Sequence, residues 1–234
     1  MARAAKRSFS VDEVLAALRE KASEQIATIF DRRNPGIPIL GVRYGDMAAL
    51  QKQIEPDCAL AIELWGTGIL EARTIALRVL PRDVLTEAQI DDWMLDLNFP
   101  PLADEFAQAV FHSPFARAKM EAWIESDEDY VRRTGYSLLY GFAADPDSPI
   151  SDSEWETYLD KVEREIQQSP NWSREMMNFI PIAIGLRSPE LKKKAIATAR
   201  AYGKIDVFHG DKTNCKVHDA VEMLDDPRTK VKRY

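Results

Sequence analysis

The chain has 234 residues, 45% hydrophobic and 29% charged, with a formal net charge of −7. That length buries a sizeable core, and the balance is ordinary for a globular protein, which excludes a disordered, collagenous or disulfide-scaffold chain. No apolar run approaches the roughly 18 residues a membrane helix needs, and the basic start runs into polar residues at Ser8–Glu13, so neither a membrane span nor a secretory signal is expected.

Ser10-Val11-Asp12-Glu13 fits a capping box. Val14, Leu15, Leu18, Ala22, Ile26 and Ile29 then follow a helical face, predicting one N-terminal helix over 11–33 that Asn34-Pro35-Gly36 stops. Asp46 is placed to cap a helix over 47–54. Residues 59–65 are apolar nearly all round, so their helix is expected to be buried. Gly66-Thr67-Gly68 ends it, and a further helix runs over 69–80 to Pro81. Thr86-Glu87-Ala88-Gln89 is a second capping box. After Asp96-Leu97-Asn98-Phe99-Pro100-Pro101 a helix is expected over 102–111, and Pro114 suits the first turn of the next. Asp127 is placed to cap a helix through Tyr130 and Leu139. Residues 145–149 are the clearest loop. A charged helix follows over 151–168, then an apolar one over 172–186 that Pro181 should kink, then one over 190–202 ended by Gly203. Beyond 204 the pattern weakens to a short helix near 220–224.

About eleven helices, no alternating strand and short connections make this an all-α chain of antiparallel helix pairs. The pair spacing of roughly 30–40 residues suits a HEAT-like helical-repeat solenoid, with a compact bundle as the other option. The organisation expected is a single domain over 1–234: the helix at 11–33, repeats over 45–203 and a tail over 204–234. Charge is uneven. The first 33 residues carry seven Lys and Arg against five Asp and Glu, and the last 45 carry eleven against seven, leaving −13 on residues 34–189. DNA would be repelled there and would need a local basic patch. Two cysteines, Cys58 and Cys215, make no disulfide framework, so a reducing cytoplasm is expected.

Motifs for phosphate loops, nucleophile elbows and helical zinc sites are absent, and no cofactor is expected. His209, Cys215 and His218, with Asp206 and Asp211, match no common zinc spacing, and the site is expected to hold no metal. Asp104, near the start of its helix, reads either as an N-terminal cap and dipole partner or as a catalytic carboxylate. Arg132 and Arg133 read either as a surface pair answering Asp127, Glu128 and Asp129 or as phosphate contacts. The five tryptophans read as packing anchors rather than stacking platforms.

Several stretches, in one order, resemble a known family. They are Leu64-Trp65 with Glu71-Ala72-Arg73; Trp93 with Leu95-Asp96-Leu97; Leu102-Ala103-Asp104-Glu105-Phe106; Ser113-Pro114-Phe115-Ala116; Val131-Arg132-Arg133; Met177-Asn178; Ile182–Arg187; and Gly203–Val207. Over roughly residues 40–220 the chain is similar to the AlkD-like DNA alkylation repair proteins. The resemblance implies HEAT-like repeats and, in active members, a hydrolytic DNA glycosylase that removes N3- and N7-alkylated purines from double-stranded DNA. It implies Asp104 as the catalytic carboxylate stabilising oxocarbenium-like charge, Arg132 or preferably Arg133 as the phosphate ligand, and Asn178-Phe179 in place of an Asn-Trp pair. Where active members have Trp-Asp upstream of the aspartate, this chain has Pro100-Pro101, which supplies no π surface. Two functions stay open: a glycosylase using Asp104, or a non-catalytic HEAT-like module binding DNA structures or a protein partner.

Overall fold

A computed structural model describes residues 6–211 and 215–234. The first five residues of the basic start and residues 212–214 of the tail lie outside it. Among the described residues there are thirteen α-helices and no strand, with one isolated bridge between Arg7 and Ile54. The chain forms two compact units. One runs to Ser113 and takes in a return of the chain from His209; the other is Pro114–Phe208 with the last residues to Tyr234.

The first unit holds α1 (Val11–Glu20), α2 (Glu24–Asp31), α3 (Tyr44–Gln51), α4 (Cys58–Gly66), α5 (Leu70–Val79), α6 (Glu87–Met94) and α7 (Pro100–Phe111). Both expected capping boxes form, at Ser10/Glu13 and Thr86/Gln89. The expected helix over 11–33 is instead two. Ser23 N–H leaves the helical ladder to bond the Gly41 carbonyl at 3.0 Å, a contact from outside the segment that periodicity does not reveal. Asp46 lies inside the first turn of α3, whose N-cap is Arg43. Helix α4 buries Leu60, Ala61, Leu64 and Trp65, but Ile62 is 48% exposed, so it buries one face rather than its whole circumference.

Helix α5 is the centre of this unit, packed on α4 and flanked by α3 and α7. Its Glu71 is fully buried. One carboxylate oxygen accepts from Gly41 N–H (2.7 Å) and Val42 N–H (3.1 Å), the other from Leu40 N–H (2.9 Å). Three amides replace the water that the charge gives up. Gly41 has φ +83°, and a Cβ there would lie 2.2 Å from the Ser23 carbonyl oxygen, so the loop accepts no side chain at that point. Arg73, two residues along α5, bonds the Trp65 and Asp96 carbonyls and the Asp96 carboxylate (2.9 Å), while Trp65 donates to Asp96 and stacks on Trp93 at 4.3 Å. The Leu-Trp…Glu-x-Arg stretch is thus the frame that ties α4, α5 and the end of α6 together.

The second unit holds α8 (Ala116–Trp123), α9 (Asp129–Ala144), α10 (Asp152–Glu165), α11 (Asn171–Gly185), α12 (Pro189–Tyr202) and α13 (Ala220–Asp225). Adjacent helices pair (α8 with α9, α11 with α12) and stack on the next pair (α9 on α11, α10 on α12). This is how helical repeats share a core. Pro114 precedes α8 rather than entering it, and α11 runs unbroken through Pro181. Gly203 ends α12 at φ +68°, as expected. All five tryptophans are at most 8% exposed, so they are packing anchors.

Helix α9 meets α8 at Gly135. A Cβ there would lie 2.6 Å from the Ile124 backbone nitrogen and 2.8 Å from the Trp123 carbonyl carbon. Backbone cannot swing aside as a side chain can, so Gly135→Ala forces the two helices apart. Its expected effect is a loss of about 2 kcal/mol in a chemical unfolding titration, in the range for overpacking. An unchanged midpoint would show that α8 shifts freely.

Candidate functional site

Asp104 is the fifth residue of α7 and is half-buried. The helix starts at Pro100, two residues earlier than expected, with Phe99 at the N-cap. Asp104 therefore lies in the second turn, past the free amides, and the capping interpretation fails. Pro100 and Pro101 also lack N–H groups, which removes two of the four unpaired donors that open a helix. The start of α7 is fixed from behind: Phe99 is fully buried against Phe30 (5.5 Å between ring centres), and Asn34 bonds the Asn98 carbonyl. Pro100 is itself buried. The charges around Asp104 include the ion pair of Arg78 with Glu105 and the hydroxyl of Tyr44, whose pKa is pushed up by burial and, secondarily, by the Glu105 carboxylate.

Arg132 and Arg133, on α9, are not a surface pair. They are 8% and 5% exposed, and their acids come from later helices rather than from Asp127, Glu128 and Asp129. Arg132 bonds Glu165 on α10 at 2.5 Å, and Lys161 joins the same carboxylate at 2.9 Å. Arg133 donates to Glu175 and to the Trp172 carbonyl, both at 2.8 Å. One turn before it, Asp129 accepts from the Trp172 and Ser173 amides at 2.9 and 2.6 Å. The expected cap at Asp127 is not the one used: Glu128 is the N-cap of α9, and Asp129 caps α11 across the helix pair. A carboxylate and a guanidinium four residues apart on α9 thus grip the first turn of α11, the acid on its free amides and the base on the carboxylate that follows.

Asn178 is 3% exposed and fully engaged. Its amide donates to the His218 carbonyl and its oxygen accepts from Tyr202 Oη, both at 2.9 Å. Burial pushes the Tyr202 hydroxyl pKa up, keeping it a donor. Phe179 is half-exposed, and its ring faces His218 at 5.6 Å and 60°. Asp104 belongs to the first unit; Arg132, Arg133, Asn178 and Phe179 belong to the second. Within the second unit Arg133, on α9, is held by Trp172 and Glu175 of α11, and Asn178, on α11, is held by Tyr202 and the His218 carbonyl. Among the described residues no group of three His, Cys, Asp or Glu side chains gathers as for a metal ion, and no helix is long and apolar enough to cross a membrane.

Arg200, in the last turn of α12, lies outside the family-like stretches, and Lys204, just past the helix, lies in one of them (Gly203–Val207) but was given no site role. Both are exposed beside a pocket of 430 Å³ lined by Asn178, Tyr202, His218 and Asp219. The sequence signal for them was the positive balance of the last 45 residues.

Stacked helix pairs with interior-facing tryptophans and bridging ion pairs define an all-α protein of HEAT-like repeat type. The chain belongs to the family described as DNA alkylation repair enzyme, whose pattern matches residues 14–224. It is 27% identical to an uncharacterised protein of Listeria innocua over 220 residues, covering 90% of this chain and 95% of that one. An uncharacterised protein of Listeria monocytogenes is 26% identical over 221 residues, with coverage of 91% and 95%. A solved structure described as a new family of proteins related to the HEAT-like repeat DNA glycosylases, with affinity for branched DNA structures, superposes with a TM-score of 0.84. It is 24% identical and covers 96% of this chain and 98% of its own.

Proposed function

We propose that this chain recognises branched DNA and excises no base. The observation that carries the reading is Pro100, buried at the first position of α7, where the resemblance calls for a tryptophan beside the carboxylate. Without that aromatic face, positive charge developing on a deoxyribose has no π surface beside Asp104. The arginines expected to hold phosphate support the same reading, because they are already neutralised by Glu165 and Glu175. The affinity for branched DNA of the solved relative gives the ligand class. The cytoplasm suits a chain whose described cysteines, Cys58 and Cys215, are not joined in a disulfide.

The glycosylase reading keeps one supporting observation: Asp104 is half-buried on a well-anchored helix, as a catalytic carboxylate would be. One experiment separates the two. Release of N7-methylguanine and N3-methyladenine from alkylated duplex is measured beside binding to a four-way junction and to linear duplex, for the wild type and Asp104→Asn. The expected result is tighter binding to the junction, no release above background, and no change in either with the variant. Release that falls by orders of magnitude in Asp104→Asn would establish a glycosylase instead. Absence of binding to any DNA at low salt would move the function to a protein partner.

A further inference from the structure

Residues 189–204 carry Lys192, Lys193, Lys194, Arg200 and Lys204 against one acid, Glu190. Helix α12 buries Leu191, Ala195, Thr198, Ala199 and Tyr202 on one side. Lys193, Ala197 and Arg200 recur at helical spacing on the other, Lys204 follows just past the terminating Gly203, and all four are exposed. Lys194 is bonded to Asp160 at 2.5 Å. Lys193, Arg200 and Lys204 have no ion-pair partner among the described residues, in contrast to Arg132 and Arg133. Where the stripe ends, the chain turns back and encloses the 430 Å³ pocket, with Arg200 and Lys204 on its wall. The acid in that wall, Asp219, is bound to the Val221 and Glu222 amides at 2.9 and 3.0 Å as the cap of α13.

A cationic stripe without counter-charge is where a polyanion gains most by releasing its own counterions. From Lys193 to Arg200 the helix rises about 10 Å, roughly the distance along a duplex axis that three phosphates of one strand span at ~3.4 Å of rise each. Resting on the DNA-binding reading above, we infer that the exposed face of α12 and the adjoining pocket seat a DNA backbone, with Arg200 and Lys204 each contacting a phosphate. The contact is independent of sequence, since no base edge is read by these side chains. Ala197, between the cations, lets the strand approach the helix closely. The bound DNA lies against a surface whose side chains need no rearrangement, because none of the three cations must first break an internal pair.

The test is binding to a four-way junction between 50 and 200 mM salt by Arg200→Glu/Lys204→Glu and by Arg200→Gln/Lys204→Gln. The comparison is Lys21→Glu/Lys52→Glu, which makes the same charge change on exposed residues of the first unit. The α12 reversal is expected to weaken binding at least tenfold at low salt. Either α12 pair is expected to flatten the plot of log affinity against log salt by about 2, near 0.9 per lost phosphate contact. The Lys21/Lys52 pair is expected to leave that slope unchanged. An unchanged slope in the α12 variants, or an equal loss in the Lys21/Lys52 pair, overturns the inference while leaving DNA binding in place. A wild type that binds no DNA overturns both this inference and the functional reading it rests on.

Discussion

Glu71→Ala is expected to destabilise the first unit by about 4 kcal/mol. The carboxylate is fully buried and is the acceptor for the amides of Leu40, Gly41 and Val42. Truncation leaves three donors without water or protein partners, at about 1–3 kcal/mol for each that stays unpaired, and opens a void. The loss spreads beyond the loop, because Gly41 also accepts the Ser23 N–H that starts α2. Taking a slope of about 2–3 kcal/mol/M, the urea midpoint falls by roughly 1–2 M. Glu71→Gln keeps the volume and an acceptor oxygen but turns an NH₂ group toward an amide donor, so an intermediate loss is expected. A Glu71→Ala protein with the wild-type midpoint would mean that the loop finds water or another acceptor. The result bears on function, because Glu71 lies in the part of the sequence most like a repair enzyme. Its work in this fold is to hold α2 and α5 in register.

Arg133→Ala is expected to cost about 3 kcal/mol of stability, the range for removing one member of a buried pair. The side chain is 6% exposed, and its guanidinium group holds both the Trp172 carbonyl and Glu175. Its loss takes from Glu175 the cation 2.8 Å away, at a helix end that the Asp129 carboxylate also caps. A Glu175→Ala change in the Arg133→Ala background should then be milder than in the wild type, with a coupling of about 1–3 kcal/mol. The phosphate-ligand reading makes the opposite forecast: stability unchanged and DNA affinity reduced. Chemical unfolding and junction binding on the same preparation decide between them. Unchanged unfolding together with weakened binding would restore Arg133 as a DNA contact.

These two residues show where local reading stops. The capping boxes at Ser10 and Thr86 were legible because donor and acceptor lie three residues apart. So was the end of α12, because Gly203 alone accepts φ +68° there. The tryptophans were legible as anchors because each recurs on an apolar face. Glu71 meets its loop 29 to 31 residues away, and Arg133 meets Glu175 at a separation of 42, so their charge pointed to a surface that they do not occupy. The break between α1 and α2 was hidden for the same reason. Asp104 was placed two residues too near the helix start because Pro100 and Pro101, read as lying before the helix, open it.

The sequence by itself determined that the chain is all-helical, where most helices start and stop, and which family it joins. Those follow from bonds and periodicities that span a few residues. Only the tertiary structure decided which charges are free. Arg132 and Arg133 resemble DNA ligands in the sequence and are consumed by Glu165 and Glu175, whereas Arg200 and Lys204 resemble an ordinary solvated end of a helix and remain unpaired. The physical reason is that a charge's availability depends on what folding brings within a few ångströms of it, and those partners come from helices distant in the chain.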